Sequence, residues 1–241
     1  MENCGGSRTA FRDGVKAAWP ICLGYVPIGL AFGILAQKAG MHPMAAGAMS
    51  LFVYAGSAQF IAVSLLCTGA AATSIILTTL VVNLRHLLMS SSLAVHLQGV
   101  GRGFLSLFAY GVTDETFAVN LARFTAGRWH PRQAVVVNLV SGAVWTGSSI
   151  AGALGGEFIP AGAFGIDYAL SAMFICLLVI QLRAPIHVVT AVISGAAAAV
   201  LCLEIPGNSH VIYASLFGAT AGFALLKLKK HGRGGGKEKE P

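Results

Sequence analysis

The 241-residue chain is 56% hydrophobic and only 10% charged, against about 25% charged in ordinary soluble domains, and its mean hydropathy is +0.75. That composition excludes a water-soluble globular domain and predicts an all-α polytopic membrane protein. A net charge of +7 would point to nucleic acid in a soluble protein; here it marks cytoplasmic loops, and no nucleic-acid partner is expected.

The polar opening, "MENCGGSRTAFRDGV", lacks an apolar core with a small-residue cleavage site, so no cleaved signal peptide is predicted. Spanning helices need roughly 20 apolar residues, and eight are expected, near 17–36, 43–66, 72–96, 103–124, 133–154, 160–182, 186–203 and 208–228. With eight spans both termini share one face. Thirteen of the sixteen Lys and Arg residues then fall on that face, Lys38 and Arg102 fall opposite, and Arg85 lies inside a span. This positive-inside bias makes both termini cytoplasmic. The expected organisation is a cytoplasmic segment over 1–16, one transmembrane domain over 17–228 and a basic flexible tail over 229–241.

The first span, "WPICLGYVPIGLAFGILAQKAG", carries Pro20, Gly24, Pro27, Gly29 and Gly33. The second, "MSLFVYAGSAQFIAVSLL", has a turn of small residues, Ala55 to Ala58, followed by Gln59. Close helix packing and a helix break that exposes backbone to a ligand both fit these residues. Pro27, Gly29 and Gly56 are the positions expected at such a break.

The third span holds "VVNLRHLLMS", residues 81–90. An arginine at a helix centre costs about 2.5–3.5 kcal/mol to insert, which the surrounding Leu, Ile and Val residues offset at about 0.3–0.6 kcal/mol each. Thr79, Asn83, His86 and Ser90 share one stripe of this helix, and Thr78, Arg85 and Ser92 share its neighbour. The fourth span holds "YGVTDETFAVN", residues 110–120. Its polar positions 113–116 go right round a helix, so the chain is irregular near Gly111 or water reaches most of that turn. An ion pair from Arg85 to Asp114 or Glu115 is the expected answer to the cost of burial. Gln59, Asn83, Arg85, His86, Asp114 and Glu115 are the candidates for substrate binding or ion coupling, with Asp114 and His86 as a possible proton relay. Phe52, Phe60 and Phe117 are candidates for an apolar pocket.

Further along, Asp167 is expected to cap the sixth span, and Gly218 with Gly222 forms a G-x-x-x-G pair suited to helix contact. "SAQFIAVSLL" (57–66) and "SAMFICLLVI" (171–180) echo one another. The five cysteines show no metal spacing, and H-E-x-x-H, G-x-S-x-G and the phosphate-binding G-x-x-x-x-G-K-[ST] loop are absent from the sequence. No metal, cofactor or enzymatic activity is expected.

Four stretches together resemble the AzlC family of branched-chain amino acid permeases: "GYVPIGLAFGILAQKAG" (24–40), "MSLFVYAGSAQF" (49–60), "VVNLRHLLMSSSLA" (81–94) and "TDETFAVN" (113–120). The resemblance covers about residues 11 to 228. It implies ion-driven export of valine, leucine or isoleucine, sometimes with methionine, across the cytoplasmic (inner) membrane of a bacterium, and a separately encoded small membrane subunit of the AzlD type. The alternative is a carrier or channel for another small polar solute. A zwitterion needs a cation or helix N-terminus for its carboxylate and an acceptor for its ammonium, which Arg85 and Asp114 or Glu115 can supply.

Overall fold

The computed structural model describes residues 3–127, 129–158 and 185–204, with isolated positions between 168 and 182 and between 213 and 227. The chain divides into two compact units, Met1–Met173 and Phe174–Pro241. All regular structure among the described residues is helical.

In the first unit, α1 (Asn3–Lys38), α4 (Ala72–Ala94) and α7 (Pro131–Gly155) are each long and apolar enough to cross a membrane. Between them lie two pairs of half-length helices: α2 (Pro43–Phe52) with α3 (Gly56–Cys67), and α5 (Arg102–Tyr110) with α6 (Asp114–Thr125). The expected spans 43–66 and 103–124 are therefore broken passes. At 1.5 Å per residue the halves measure about 15, 18, 14 and 18 Å, so each pair matches a hydrocarbon core of about 30 Å and breaks near its middle. Arg85 stands about 20 Å along α4 from its start and about 14 Å from its end, at comparable depth. Ile76, Leu80, Leu87 and Leu88 of α4 are exposed, the chemistry that lipid tails require.

The breaks are not where proline points. α1 runs through Pro20 and Pro27 without interruption. Gly29 and Gly33 belong to a seam, not a break. A Cβ on Gly33 would stand 2.8 Å from the backbone carbon of Gly152, and one on Gly29 would stand 3.1 Å from Cβ of Ser148. Small residues let α1 and α7 approach backbone to backbone, and that packing supports an unbroken helix past the donor lost at Pro27.

The α2–α3 break, residues 53–55, precedes Gly56 and turns on Tyr54, whose φ of 40° is left-handed. Its ring is buried against Gly142 of α7 and lies 6.0 Å from the ring of Tyr110. The Tyr110 hydroxyl donates to the carbonyl of Leu51, so the end of α5 is tied to the end of α2. The α5–α6 break, residues 111–113, is held by α7: Asn138 Nδ2 donates to the carbonyl of Phe108 (2.9 Å), and Asn138 Oδ1 accepts from Asn120 Nδ2 (3.0 Å). One side chain thus spans both halves of that pass.

Two apolar cores support these elements. Phe32, Phe60, Tyr25, Trp145 and Val137 join α1, α3 and α7. Leu93, Phe108, Val112, Phe124 and Val135 join α4, α5, α6 and α7. In the second unit, α8 (Pro185–Glu204) is a 20-residue helix. The Gly218/Gly222 pair lies against Ser194 and Thr190 of α8, the helix contact expected of that spacing. Most of the expected spans 160–182 and 208–228, the cap at Asp167, the 171–180 echo and the tail over 229–241 lie outside the described residues.

Candidate functional site

The N-termini of α3 and α6, at Gly56 and Asp114, both begin at the breaks. The two ends are finished differently. α6 is capped by its own residues: Thr113 Oγ1 accepts from Thr116 N and Thr116 Oγ1 accepts from Thr113 N, a reciprocal box, and Asp114 and Glu115 complement the positive end of the helix. α3 has Ala55 at its N-cap, with no side-chain cap and no acidic residue in its first turn. Its amide end keeps its affinity for an anion.

Arg85 reaches from α4 to both ends. Nη1 is 2.9 Å from Asp114 Oδ2 at the start of α6, and Nη2 donates to Ser57 Oγ in the first turn of α3. The ion pair expected from the insertion cost is present, with Asp114 as the partner. Both side chains remain about 30% exposed, at 30% and 28%, so the pair borders a space instead of being sealed in protein. Beside it, Arg85 Nε and Asn83 Oδ1 are buried without a hydrogen-bond partner among the described residues. Leaving such atoms unpaired costs about 1–3 kcal/mol each, so they are the donor and acceptor with capacity to spare.

Glu115 faces elsewhere. Its Oε2 accepts from the Tyr25 hydroxyl of α1 at 2.8 Å, and Tyr25 Oη also lies 2.7 Å from Thr113 Oγ1. His86 is half-buried within electrostatic reach of both Arg85 and Glu115. Among the described residues, no three His, Cys, Asp or Glu side chains form a group able to hold a metal ion.

Gln59 is fully buried, and both polar atoms of its amide are engaged by protein. Oε1 accepts from Trp145 Nε1 (2.9 Å), and Nε2 donates to Ser50 Oγ (3.0 Å). Ser50 is on α2 and Gln59 on α3, so this amide locks the two halves across the Tyr54 break and hangs them from α7. The three phenylalanines do not form one pocket: Phe52 is 77% exposed, Phe60 packs edge-on against Phe32 in the first core, and half-buried Phe117 belongs to the second. Of the three, Phe117 alone stands one turn from Asp114 on α6.

Sequence reasoning did not single out Tyr25, Trp145 or Ser50. Nothing in a local pattern marks an aromatic that meets its partner about ninety residues away. Ser57 was visible only as one of four small residues in a row.

The four stretches 24–40, 49–60, 81–94 and 113–120 meet here, supplying Tyr25, Ser57 and Gln59, Arg85, and Asp114 with Glu115. Residues 20–159, which include both broken passes, match the family described as AzlC protein. The inner membrane protein YgaZ of Escherichia coli (strain K12) is 31% identical over 209 residues, covering 83% of this chain and 85% of its own length. An uncharacterized membrane protein of Archaeoglobus fulgidus is 31% identical over 216 residues, covering 86% and 92%. The branched-chain amino acid transport protein AzlC of Bacillus subtilis is 28% identical over 173 residues, covering 71% and 68%. No solved structure matches the chain. Both the family profile across the two broken passes and the full-length likeness to YgaZ place this membrane protein in the AzlC family.

Proposed function

We propose that the protein is a secondary transporter that exports branched-chain amino acids, driven by an ion gradient and working with a small AzlD-type membrane subunit. The observation that carries the reading is Arg85 held between the starts of two half-helices at mid-depth, paired with Asp114 and with its Nε free to bond. Half-helix ends at a membrane midplane are where secondary transporters hold substrate.

In this reading the substrate carboxylate takes the uncapped amide end of α3 and the guanidinium of Arg85. The ammonium takes Asp114 and the free Oδ1 of Asn83. Both ends are then met by charge-assisted bonds. Bringing a carboxylate to Arg85 weakens its hold on Asp114, which frees that carboxylate for the ammonium. The site thus trades an internal ion pair for two contacts with one zwitterion. The aliphatic side chain lies towards Phe117. One methylene is worth about 1–3 kcal/mol in an apolar pocket, so valine, leucine and isoleucine all serve. Gln59 positions α3 and does not touch substrate. The resemblance in name to a branched-chain amino acid transport protein supports the substrate class. The basic-residue bias supports both termini being cytoplasmic.

Counterflow tests this. Proteoliposomes loaded with unlabelled valine, leucine or isoleucine and diluted into labelled valine are expected to take up label faster than empty ones. A passive channel gives no acceleration. Uptake no faster with any of the three preloads than with empty vesicles would remove the carrier reading.

A further inference from the structure

We infer that Glu115, held by the Tyr25 hydroxyl and outside the Arg85 ion pair, is the proton-binding group that couples transport to a proton gradient. This rests on the carrier reading above and adds the identity of the coupling group.

The two adjacent carboxylates of α6 are in opposite situations. Asp114 already has a cation, at 2.9 Å. Protonating it would leave Arg85 uncompensated at mid-depth. Glu115 has no cation within salt-bridge distance among the described residues, and its side-chain donor is the neutral Tyr25 hydroxyl at 2.8 Å. A carboxylate in that setting can take a proton and give it back without breaking an ion pair. The titratable groups that face it are Tyr25 from α1, Tyr54 from the α2–α3 break and His86 from α4, with Asp114 next to it in the chain and paired to Arg85.

The geometry also says how the proton is sensed. Tyr25 Oη and Thr113 Oγ1 are 2.7 Å apart, and either can donate. With Glu115 ionised, Tyr25 donates to Glu115 and accepts from Thr113. A proton taken from water onto Glu115 Oε2 makes that oxygen a donor, so Tyr25 accepts from it and turns its own hydrogen to Thr113. Thr113 is the cap of α6, and it accepts from Thr116 N at 3.4 Å. Loading one proton therefore reverses a short hydroxyl chain that ends at the α5–α6 break. Thr113 in turn moves its own hydrogen from Tyr25 to Thr116 Oγ1, 3.3 Å away, and the one covalent bond formed is the O–H on Glu115. Release to water on the opposite face restores the starting arrangement and balances the cycle at one proton.

The experiment uses the full chain in proteoliposomes, with two readouts on the same vesicles: counterflow of labelled valine without a gradient, and accumulation of valine under an imposed pH gradient. Glu115→Gln is expected to retain counterflow and lose gradient-driven accumulation, the internal-to-external ratio falling to one. Glu115→Asp restores accumulation. Should Glu115→Gln fail to fold, Tyr25→Phe carries the test. Removing the Tyr25 hydroxyl removes the hydrogen-bond partner of Glu115 and cuts the chain to Thr113, so the pH profile of driven transport is expected to differ from wild type while counterflow persists. Accumulation by Glu115→Gln at the wild-type ratio would overturn the assignment, as would a Tyr25→Phe profile superimposed on wild type. Wild-type counterflow with no response to a pH gradient would overturn the proton site and leave the carrier standing. Absence of wild-type counterflow with any of the three amino acids would instead remove the carrier reading itself.

Discussion

The α1–α7 seam makes a sharp prediction because two glycines on the same helix differ in one respect only. A Cβ added at Gly152 would stand 2.8 Å from both the backbone carbon and the Cα of Leu30, and closer still to the Leu30 carbonyl oxygen. Ordinary contact begins at 3.4 Å, so the methyl group intrudes by about 0.6 Å or more on a backbone that cannot swing aside. A Cβ added at Gly147 would meet nothing within 4 Å. Both substitutions gain up to about 1 kcal/mol of helix propensity. Overpacking costs about 1–3 kcal/mol, and rigid backbone on the receiving side puts Gly152→Ala at the upper end. The net expectation is a loss of about 2 kcal/mol for Gly152→Ala and a gain of up to about 1 kcal/mol for Gly147→Ala. For a chain of this size 1 kcal/mol moves Tm by about 2–4 °C, which places Gly152→Ala about 4–8 °C below wild type. Heating the detergent-purified protein and following the monodisperse peak by fluorescence-detected size exclusion reads both variants. Gly152→Ala melting with wild type would refute the backbone contact between α1 and α7.

Three further outcomes follow from the site. Ala55→Ser supplies the cap that α3 lacks, so Tm is expected to rise, by about 1 kcal/mol of stability, while the half-saturation concentration for valine exchange also rises because the hydroxyl competes for the same amides; improved stability with unchanged valine dependence would contradict an anion site there. Gln59→Leu strands the Trp145 indole N–H and the Ser50 hydroxyl, costing about 1–3 kcal/mol each at most; the thermal melt is expected to fall and the indole to report a changed environment by fluorescence. Asn138→Leu frees the Phe108 carbonyl and the Asn120 amide together, and a loss of about 2–4 kcal/mol is expected, with limited proteolysis newly cutting near residues 111–113.

The sequence marked both breaks, for different physical reasons. Four polar residues at 113–116 cannot face a membrane from one side of a helix, so irregularity near Gly111 was written in the chemistry. In residues 49–66 the run of small residues 55–58 pointed to Gly56, and the break falls just before it, while Tyr54, the residue on which it turns, carries no local signal. That break is set by tertiary contacts: the Tyr54 ring under Gly142, Tyr110 on the Leu51 carbonyl, and the Gln59 amide joining Ser50 to Trp145. Pro27 misled, because a helix packed along α7 tolerates one missing donor. Cost arguments found Arg85 and required a carboxylate near it. Which of two adjacent carboxylates it took depended on how α6 begins, since Thr113 as cap turns Asp114 towards α4 and Glu115 towards Tyr25. Gln59 was noticed for being polar at depth, and its neighbours make it a strut.

Most of the account depends on Arg85 meeting the carboxylate of the substrate between the starts of α3 and α6, and the substrate can be altered more cleanly than the protein. Exchange of labelled valine in proteoliposomes should be competed by leucine and isoleucine. Valinamide, which keeps the ammonium and the side chain but lacks the carboxylate, should compete about a hundredfold less well, the worth of about 3 kcal/mol in charge-assisted bonds. Valinamide competing as well as valine would contradict the assignment of Arg85 as the anchor.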